Sequence, residues 1–147
     1  MKLNLGCSSN LRKGFWNVDI VPPCDEIVDL SCKWPWETST IEYVLAIDIL
    51  EHLLSPIHTL NELWRVLQPG GIAEIEVPTT NGECAFGYPT HVSYWNRVSF
   101  HYFELEHPYH KQFAVAYGIT ARFEVVEEYT RTMADGPKLL IKLRAIK

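Results

Sequence analysis

The sequence lacks long apolar runs, an excess of basic residues and closely paired cysteines, and each absence excludes a class of protein. No stretch approaches the roughly 20 apolar residues that a membrane-spanning helix needs, so no span is predicted. The net charge is −5 with His neutral, and no basic run is present, which argues against a nucleic-acid partner. The first residues lack the apolar core of a signal peptide, so we expect a cytoplasmic location.

The four cysteines are widely spaced, and they form no C-x-x-C pair. A zinc site made by Cys7, Cys24, Cys32 and a histidine lacks the usual ligand spacing. Reduced, mostly buried thiols are the favoured interpretation for these three and for Cys84, and no metal site is predicted.

The length of 147 residues favours one domain spanning residues 1–147. Short apolar runs separated by turn residues predict its first strands. These strands are expected at Leu3 to Gly6, Trp16 to Ile20, Glu26 to Leu30 and Tyr43 to Ile47.

The clearest helix signal follows Ser55, which suits an N-cap, and Pro56, which suits the first helical position. Apolar residues then recur at spacings of three and four until Pro69-Gly70-Gly71 ends the pattern. The run Ile72 to Val77 reads as the next strand. Strand, helix and strand together predict a right-handed βαβ unit.

The last third of the chain is aromatic and then strand-like. A helix is expected from about Asn96, further helical turns near Tyr109 to Gly118, and terminal strands at Phe123 to Tyr129 and Lys138 to Ile146, with Asp135-Gly136 at the turn. The order predicts an α/β, Rossmann-like sheet, mainly parallel with an antiparallel C-terminal edge and a reduced number of helices.

Polar or small residues stand at four successive strand ends, where ligands bind in such sheets. They are the turn that begins at Gly6, then Asp19, Asp29 and Asp48, the last followed by Glu51-His52. Taken singly, each has an ordinary interpretation as a turn, a turn cap or a solvated residue. Their order along the chain favours a nucleotide-like ligand.

The sequence resembles the class I S-adenosylmethionine-dependent methyltransferases of the subgroup with LNLGCG, GWxNVD, LEH and RVLxPGG motifs. The corresponding segments here are Leu3-Asn-Leu-Gly-Cys-Ser8, Gly14-Phe-Trp-Asn-Val-Asp19, Leu50-Glu-His52 and Arg65-Val-Leu-Gln-Pro-Gly-Gly71. The resemblance is good over about residues 3 to 103 and looser beyond. It implies S-adenosylmethionine as cofactor and a small-molecule or carbohydrate-linked methyl acceptor.

The resemblance also implies roles for individual residues. Gly6, Cys7 and Ser8 would line the methionine part of the cofactor while Asn4 holds the loop, and Asp19 would bind the ribose hydroxyls. Ile20, Asp29 and Leu30 would surround the adenine, and Ile47 and Asp48 would border the methionine amino and sulfonium groups.

Two features depart from the family pattern. Ser8 replaces the usual second glycine, which costs about 1–2 kcal/mol if its φ is positive. The connections after the first and second strands are too short for helices. We expect loops carrying Phe15, Trp16, Trp34 and Trp36, or a second subunit in a homodimer, to cover apolar side chains on the helix-poor face.

Methyl transfer needs a base only if the acceptor arrives protonated, and the candidates are Asp48, His52 and His91. His91 is equally open to a packing role, and the aromatic residues Tyr88 to Phe103 either form core or stack on an acceptor. A rival hypothesis is a non-catalytic binding or assembly module that retains the fold. A dinucleotide-dependent oxidoreductase fits less well, because Gly6 to Gly14 lack its glycine pattern and its helix.

Overall fold

The computed structural model describes all residues, 1–147, and contains a single mixed sheet of seven strands in the order β3-β2-β1-β4-β5-β7-β6. The first five strands run parallel, and β7 lies antiparallel between β5 and β6. The strands are β1 (Lys2–Leu5), β2 (Trp16–Asp19), β3 (Glu26–Ile27), β4 (Ile41–Ile47), β5 (Leu67–Pro78), β6 (Phe123–Met133) and β7 (Gly136–Ala145). This confirms the predicted parallel sheet with an antiparallel C-terminal edge.

Four α-helices and one short 3₁₀ helix at Leu50–His52 connect the later strands. They are α1 (Pro56–Val66), α2 (Cys84–Gly87), α3 (Arg97–His101) and α4 (Pro108–Tyr117). Ser55 caps α1 by accepting a hydrogen bond from the His58 amide, as the sequence predicts. Asn96 caps α3, which begins where a helix was expected. No helix is both long and apolar enough to cross a membrane.

Several predicted element boundaries differ from the structure: β5 begins at Leu67 rather than Ile72, and β6 extends to Met133 rather than Tyr129. The third strand shortens from the predicted Glu26 to Leu30 to two residues, because the Asp29 carboxylate accepts a hydrogen bond from the Ser31 amide and turns the chain. The C-terminal hairpin turns at Ala134 and Asp135, one residue earlier than predicted, since Gly136 already pairs with Met133.

One face of the sheet is apolar and completely covered. The register places on it Leu3, Leu5, Val18, Val44, Ala46, Ala73, Ile75, Val77, Leu139, Ile141 and Leu143, all of which are buried. Leu60, Leu63 and Val66 of α1 join these side chains in the main core, together with Trp34 and Trp36. The segment that carries Trp34 and Trp36, called the tryptophan segment below, is bound to α1 by Arg65. The Arg65 guanidinium donates hydrogen bonds to the backbone carbonyls of both tryptophans.

The opposite face is mostly polar, with Leu45 and Leu140 buried among its polar side chains, which corrects the expectation that the helix-poor face presents apolar side chains. Asn4 and Asn17 are neighbours in register and are joined by a 3.0 Å side-chain hydrogen bond. Further along, Lys142 lies 3.4 Å from Glu74 and 2.8 Å from Glu127. The four aromatic residues expected to cover the helix-poor face, Phe15, Trp16, Trp34 and Trp36, lie in different environments. Trp34 and Trp36 are buried in the core, whereas Phe15 packs edge-on against Tyr43 and Trp16 remains 44% exposed.

Candidate active site

The carboxyl ends of the parallel strands meet at one edge of the sheet, and two adjoining cavities open there. Their volumes are about 160 and 230 Å³, and His52 lines both of them. A larger cavity of about 530 Å³ lies beside Phe123 and Ile146 at the other end of the strands. Because ligands of open parallel sheets bind at the carboxyl strand ends, the two cavities that share His52 form the candidate site.

The loop after β1 is shaped by two residues with left-handed backbone. Gly6 has φ +62°, and a Cβ on it would come within 2.6 Å of the Ile49 side chain, so only glycine fits. Ser8 has φ +45°, the conformation that disfavours a side chain by about 1–2 kcal/mol. The Ser8 amide donates a 2.8 Å hydrogen bond to the Asp19 carboxylate. The loop is thereby tied to the end of β2.

Asp19 holds its own loop in place with its other carboxylate oxygen. Oδ1 accepts hydrogen bonds from the amides of Ile20 at 2.7 Å and Val21 at 3.3 Å. Because a carboxylate offers about four acceptor positions, the partly exposed Asp19 retains capacity for a ligand. Its orientation is fixed before any ligand binds.

The first cavity gathers half of the residues predicted to bind a cofactor. Gly6, Asp19, Ile20, Asp29 and Leu30 line it. Sequence reasoning missed Val28, Ser31, Ile49 and Leu53, and it assigned His52, which also lines this cavity, to catalysis. The missed residues flank the predicted ones or belong to the segment after β4. Proximity to Asp29 and Asp48 in sequence is therefore the signal that could have identified them.

Five predicted cofactor residues do not line this cavity: Asn4, Cys7, Ser8, Ile47 and Asp48. Asn4 is buried and donates 3.0 Å hydrogen bonds to the Asn10 carbonyl and the Asn17 side chain, so it holds the loop. Burial raises the pKa of the Cys7 thiol. All four cysteines are free, and none belongs to a cluster of metal-ligating groups.

The second cavity contains all three candidate bases, Asp48, His52 and His91. Its other lining residues are Glu51, Pro78, Cys84, Tyr88, Asp135 and Lys138. The Lys138 ammonium lies 2.7 Å from Asp48 and 3.2 Å from Asp135. Burial opposes this ammonium, but its hydrogen bonds to the two carboxylates outweigh that effect and raise the pKa of Lys138.

Backbone hydrogen bonds bring the two histidines together. The Glu51 carbonyl accepts from the amides of Val92 and Ser93 at 2.8 and 3.1 Å, and the Ser93 hydroxyl donates to the Leu50 carbonyl. The 3₁₀ helix and the loop that follows α2 therefore form one unit. As a result, the ring centres of His52 and His91 lie 5.0 Å apart.

Glu51 is the most unusual residue of the site. Its side chain is buried, and its Oε2 atom has no hydrogen-bond partner. Burial raises the pKa of Glu51 to about 7, and the charge of nearby Asp48 adds to the rise. Sequence reasoning placed Glu51 in the LEH motif and assigned it no role, because nothing in the motif indicates that its carboxylate points inward.

The aromatic segment divides between the two predicted roles. Trp95, Phe100 and Phe103 are buried in the core, whereas Tyr88 lines the second cavity and its ring lies 4.9 Å from that of His91. Tyr94, half exposed, packs against Phe86.

Comparisons with known proteins support the family that the motifs indicate. Residues 17–75 match the family model described as methyltransferase domain, and no curated protein matches the chain. The chain has the fold of the class I methyltransferases. The matched segment runs from β2 into β5, so it contains the LEH motif and the RVLxPGG motif, Arg65 to Gly71.

Solved structures share the fold over nearly the whole chain. A chain of the complex containing the Haloferax volcanii Trm112 methyltransferase activator aligns with TM-score 0.67 at 15% identity, covering 99% of this chain and 82% of that one. The N-methyltransferase NodS from Bradyrhizobium japonicum WM9, bound to S-adenosylhomocysteine, aligns with TM-score 0.65 at 15% identity. The alignment covers 99% of this chain and 78% of the NodS chain.

A third neighbour is also bound to S-adenosylhomocysteine. It is the 1,6-didemethyltoxoflavin-N1-methyltransferase from Burkholderia thailandensis, with TM-score 0.63, 16% identity and coverage of 99% of this chain and 71% of that one. S-adenosylhomocysteine is the product left when S-adenosylmethionine loses its methyl group. These neighbours support S-adenosylmethionine as the cofactor that belongs with this fold.

Proposed function

We propose that this chain transfers a methyl group from S-adenosylmethionine, held in the first cavity, to an acceptor held in the second. The observation that carries the proposal is the shared wall at His52, which lines both cavities. Together the cavities reach the roughly 300–1,000 Å³ that ligand pockets occupy. Methyl transfer is a direct displacement, so two adjoining compartments that align donor and acceptor suit it.

The first cavity has the chemistry that an adenosine group requires. Asp19 would accept hydrogen bonds from the ribose hydroxyls, and Ile20 and Leu30 would provide apolar contacts for adenine. The Ser31 amide lowers the pKa of Asp29, so this carboxylate stays charged at the cavity edge. Gly6, which has no side chain, lines the cavity with its backbone.

Among the candidate bases, the two histidines are favoured over Asp48. Each imidazole has Nδ1 within hydrogen-bond distance of a backbone carbonyl, Thr90 for His52 at 3.0 Å and Ala85 for His91 at 3.2 Å. Nδ1 therefore carries the proton, and Nε2 is left as an acceptor. Asp48 is already ion-paired with the Lys138 ammonium at 2.7 Å.

The acceptor is proposed to be a small or carbohydrate-linked molecule, because the second cavity of about 230 Å³ is small and polar-lined. The homodimer expected from the sequence has no support from an apolar face, since the uncovered face is mostly polar. Dimerisation and a cytoplasmic location stay predictions. Light scattering at rising protein concentration tests the first.

Calorimetric titration of the full chain with S-adenosylhomocysteine tests the proposed function. We expect saturable binding, weakened at least tenfold by Asp19→Asn, which removes the charge and half of the acceptor capacity. Glu42→Gln is the matched control, because Glu42 is exposed and lies away from the cavities. Absence of binding at millimolar S-adenosylhomocysteine and S-adenosylmethionine would overturn the proposal in favour of a non-catalytic module.

A further inference from the structure

Three potential metal ligands converge where the two cavities meet. One ligand atom from each of Glu51, His52 and His91 lies within 4.8 Å of the other two. We propose that these side chains bind one divalent transition-metal ion of the Zn²⁺ type. Two imidazole nitrogens and one carboxylate form a ligand set that suits zinc and leaves a coordination position open.

Both imidazoles are oriented as metal ligands usually are. Each Nδ1 faces a backbone carbonyl, that of Thr90 for His52 and that of Ala85 for His91. Such a second hydrogen bond fixes the tautomer and leaves the Nε2 lone pair free to bind a cation. Ligand atoms around tetrahedral zinc lie about 3.3 Å apart, so the cluster must contract by roughly 1.5 Å, which rotation of exposed His52 permits.

Glu51 supplies an independent observation. It is only 2% exposed, lines the second cavity, and keeps a buried oxygen without a hydrogen-bond partner. A buried carboxylate in that state is costly, and a bound cation would satisfy it.

The charges that face the cluster come from several elements. Asp48 and Asp135 are paired with the cation Lys138, and Glu76 is paired with Arg131. Each of these nearby carboxylates therefore has a cationic partner, whereas Glu51 has none. Lys138 would repel a metal ion, but it is already shared between two carboxylates.

The metal would lie between the cofactor cavity and the acceptor cavity, and this role rests on the proposed function. With the metal bound, the Nε2 lone pairs of His52 and His91 are occupied, so neither histidine acts as the base. An acceptor hydroxyl at the open position would instead lose its proton to solvent more readily. Methyl transfer then forms an O–CH₃ bond and breaks the S–CH₃ bond, whose electron pair stays on sulfur. The acceptor class inferred here is thus an oxygen nucleophile.

Metal binding without cofactor or acceptor tests the inference. The full chain, freed of metal with a chelator, is titrated with Zn²⁺ by calorimetry and with Co²⁺ by visible absorption. We expect one ion per chain and at least tenfold weaker binding for Glu51→Gln, His52→Ala and His91→Ala. His101→Ala is the matched control, because His101 lies outside both cavities. Circular dichroism verifies that each variant is folded.

Three outcomes would overturn the inference: no binding, unchanged affinity in folded Glu51→Gln, or an intense near-ultraviolet band that places Co²⁺ on the cysteines. Its failure can be told apart from failure of the proposed function. A chain that binds S-adenosylhomocysteine but no metal retains only the methyltransferase proposal. A chain that binds Zn²⁺ through Glu51 but no cofactor retains only the metal site.

Discussion

The ammonium of Lys138 lies 2.7 Å from the carboxylate of Asp48, and this contact joins the antiparallel strand β7 to the end of the parallel strand β4. The two residues are far apart in sequence, and Lys138 is 8% exposed. The C-terminal hairpin therefore contributes directly to the acceptor cavity.

Lys138→Ala is expected to destabilise the protein by about 1–3 kcal/mol, because it removes a buried ammonium that pairs with half-buried Asp48 and with exposed Asp135. For a domain of this size each kcal/mol lowers the melting temperature by about 2–4 °C. Lys2→Ala is the control, since exposed pairs such as Lys2–Glu42 contribute about 0–1 kcal/mol. Equal melting temperatures for the two variants would contradict the assigned role of Lys138.

Gly6→Ala is expected to lower stability by about 2–4 kcal/mol and to abolish binding of S-adenosylhomocysteine. The added Cβ meets Ile49 at 2.6 Å in addition to the positive-φ cost. Gly14→Ala is a matched control, because Gly14 also has positive φ (+84°) but open space around its Cβ position. It should lose only about 1–2 kcal/mol. Thermal melting and calorimetry measure both effects, and similar losses in the two variants would refute the argument from Ile49.

Ser8→Gly is expected to stabilise the protein by up to about 1 kcal/mol, since glycine adopts φ +45° without the steric cost of Cβ. Affinity for S-adenosylhomocysteine should not fall, because the Ser8 contact with Asp19 is made by the backbone amide. A lower melting temperature, or a weaker complex, would mean that the Ser8 hydroxyl has a role of its own.

Glu62→Gln tests the link between α1 and the tryptophan segment. The hydrogen bond from Arg65 lowers the pKa of Glu62, with a further contribution from the Trp34 amide. A depressed carboxyl pKa stabilises the folded state above the unfolded pKa of about 4.3, and this stability is lost as the pH falls through the folded value. We expect Glu62→Gln to cost about 1.5–3 kcal/mol at pH 7.

The difference in unfolding free energy between wild type and Glu62→Gln should shrink as the pH falls below about 4. Denaturant titrations at several pH values measure it, with Glu42→Gln as the exposed control. A difference that is independent of pH would show that the carboxylate charge of Glu62 is not what stabilises the segment.

Local sequence signals predicted those parts of the fold that depend on neighbouring residues. The Ser55 cap, the apolar stripe of α1 and the start of α3 near Asn96 are encoded within one or two helical turns, so the sequence predicted them directly. The polar face was not foreseen. The short strand β1 alternates Leu3, Asn4 and Leu5, and Asn4 was assigned to the loop rather than to a pair with Asn17.

The candidate site was predictable only in part, because only some of its residues are marked by signals that are local in the sequence. Asp19 and Asp29 stand at strand ends, and their position along the chain indicates the first cavity. The contacts of Glu51 with Val92 and of Asp48 with Lys138 join distant segments, and no local pattern encodes them. The proposed metal ligands likewise come from two separate segments, the 3₁₀ helix and the loop after α2, which only the fold brings together.

The outermost strand, β6, has 11 residues and leaves one row of backbone amides and carbonyls without a neighbouring strand. Such an edge can recruit a strand from another molecule and start aggregation. Glu124, Glu127, Glu128 and Arg131 place charge along this edge, and the register shift between Val125 and Glu127 interrupts its regularity. These charges and this irregularity protect the protein from edge-to-edge association in concentrated solution.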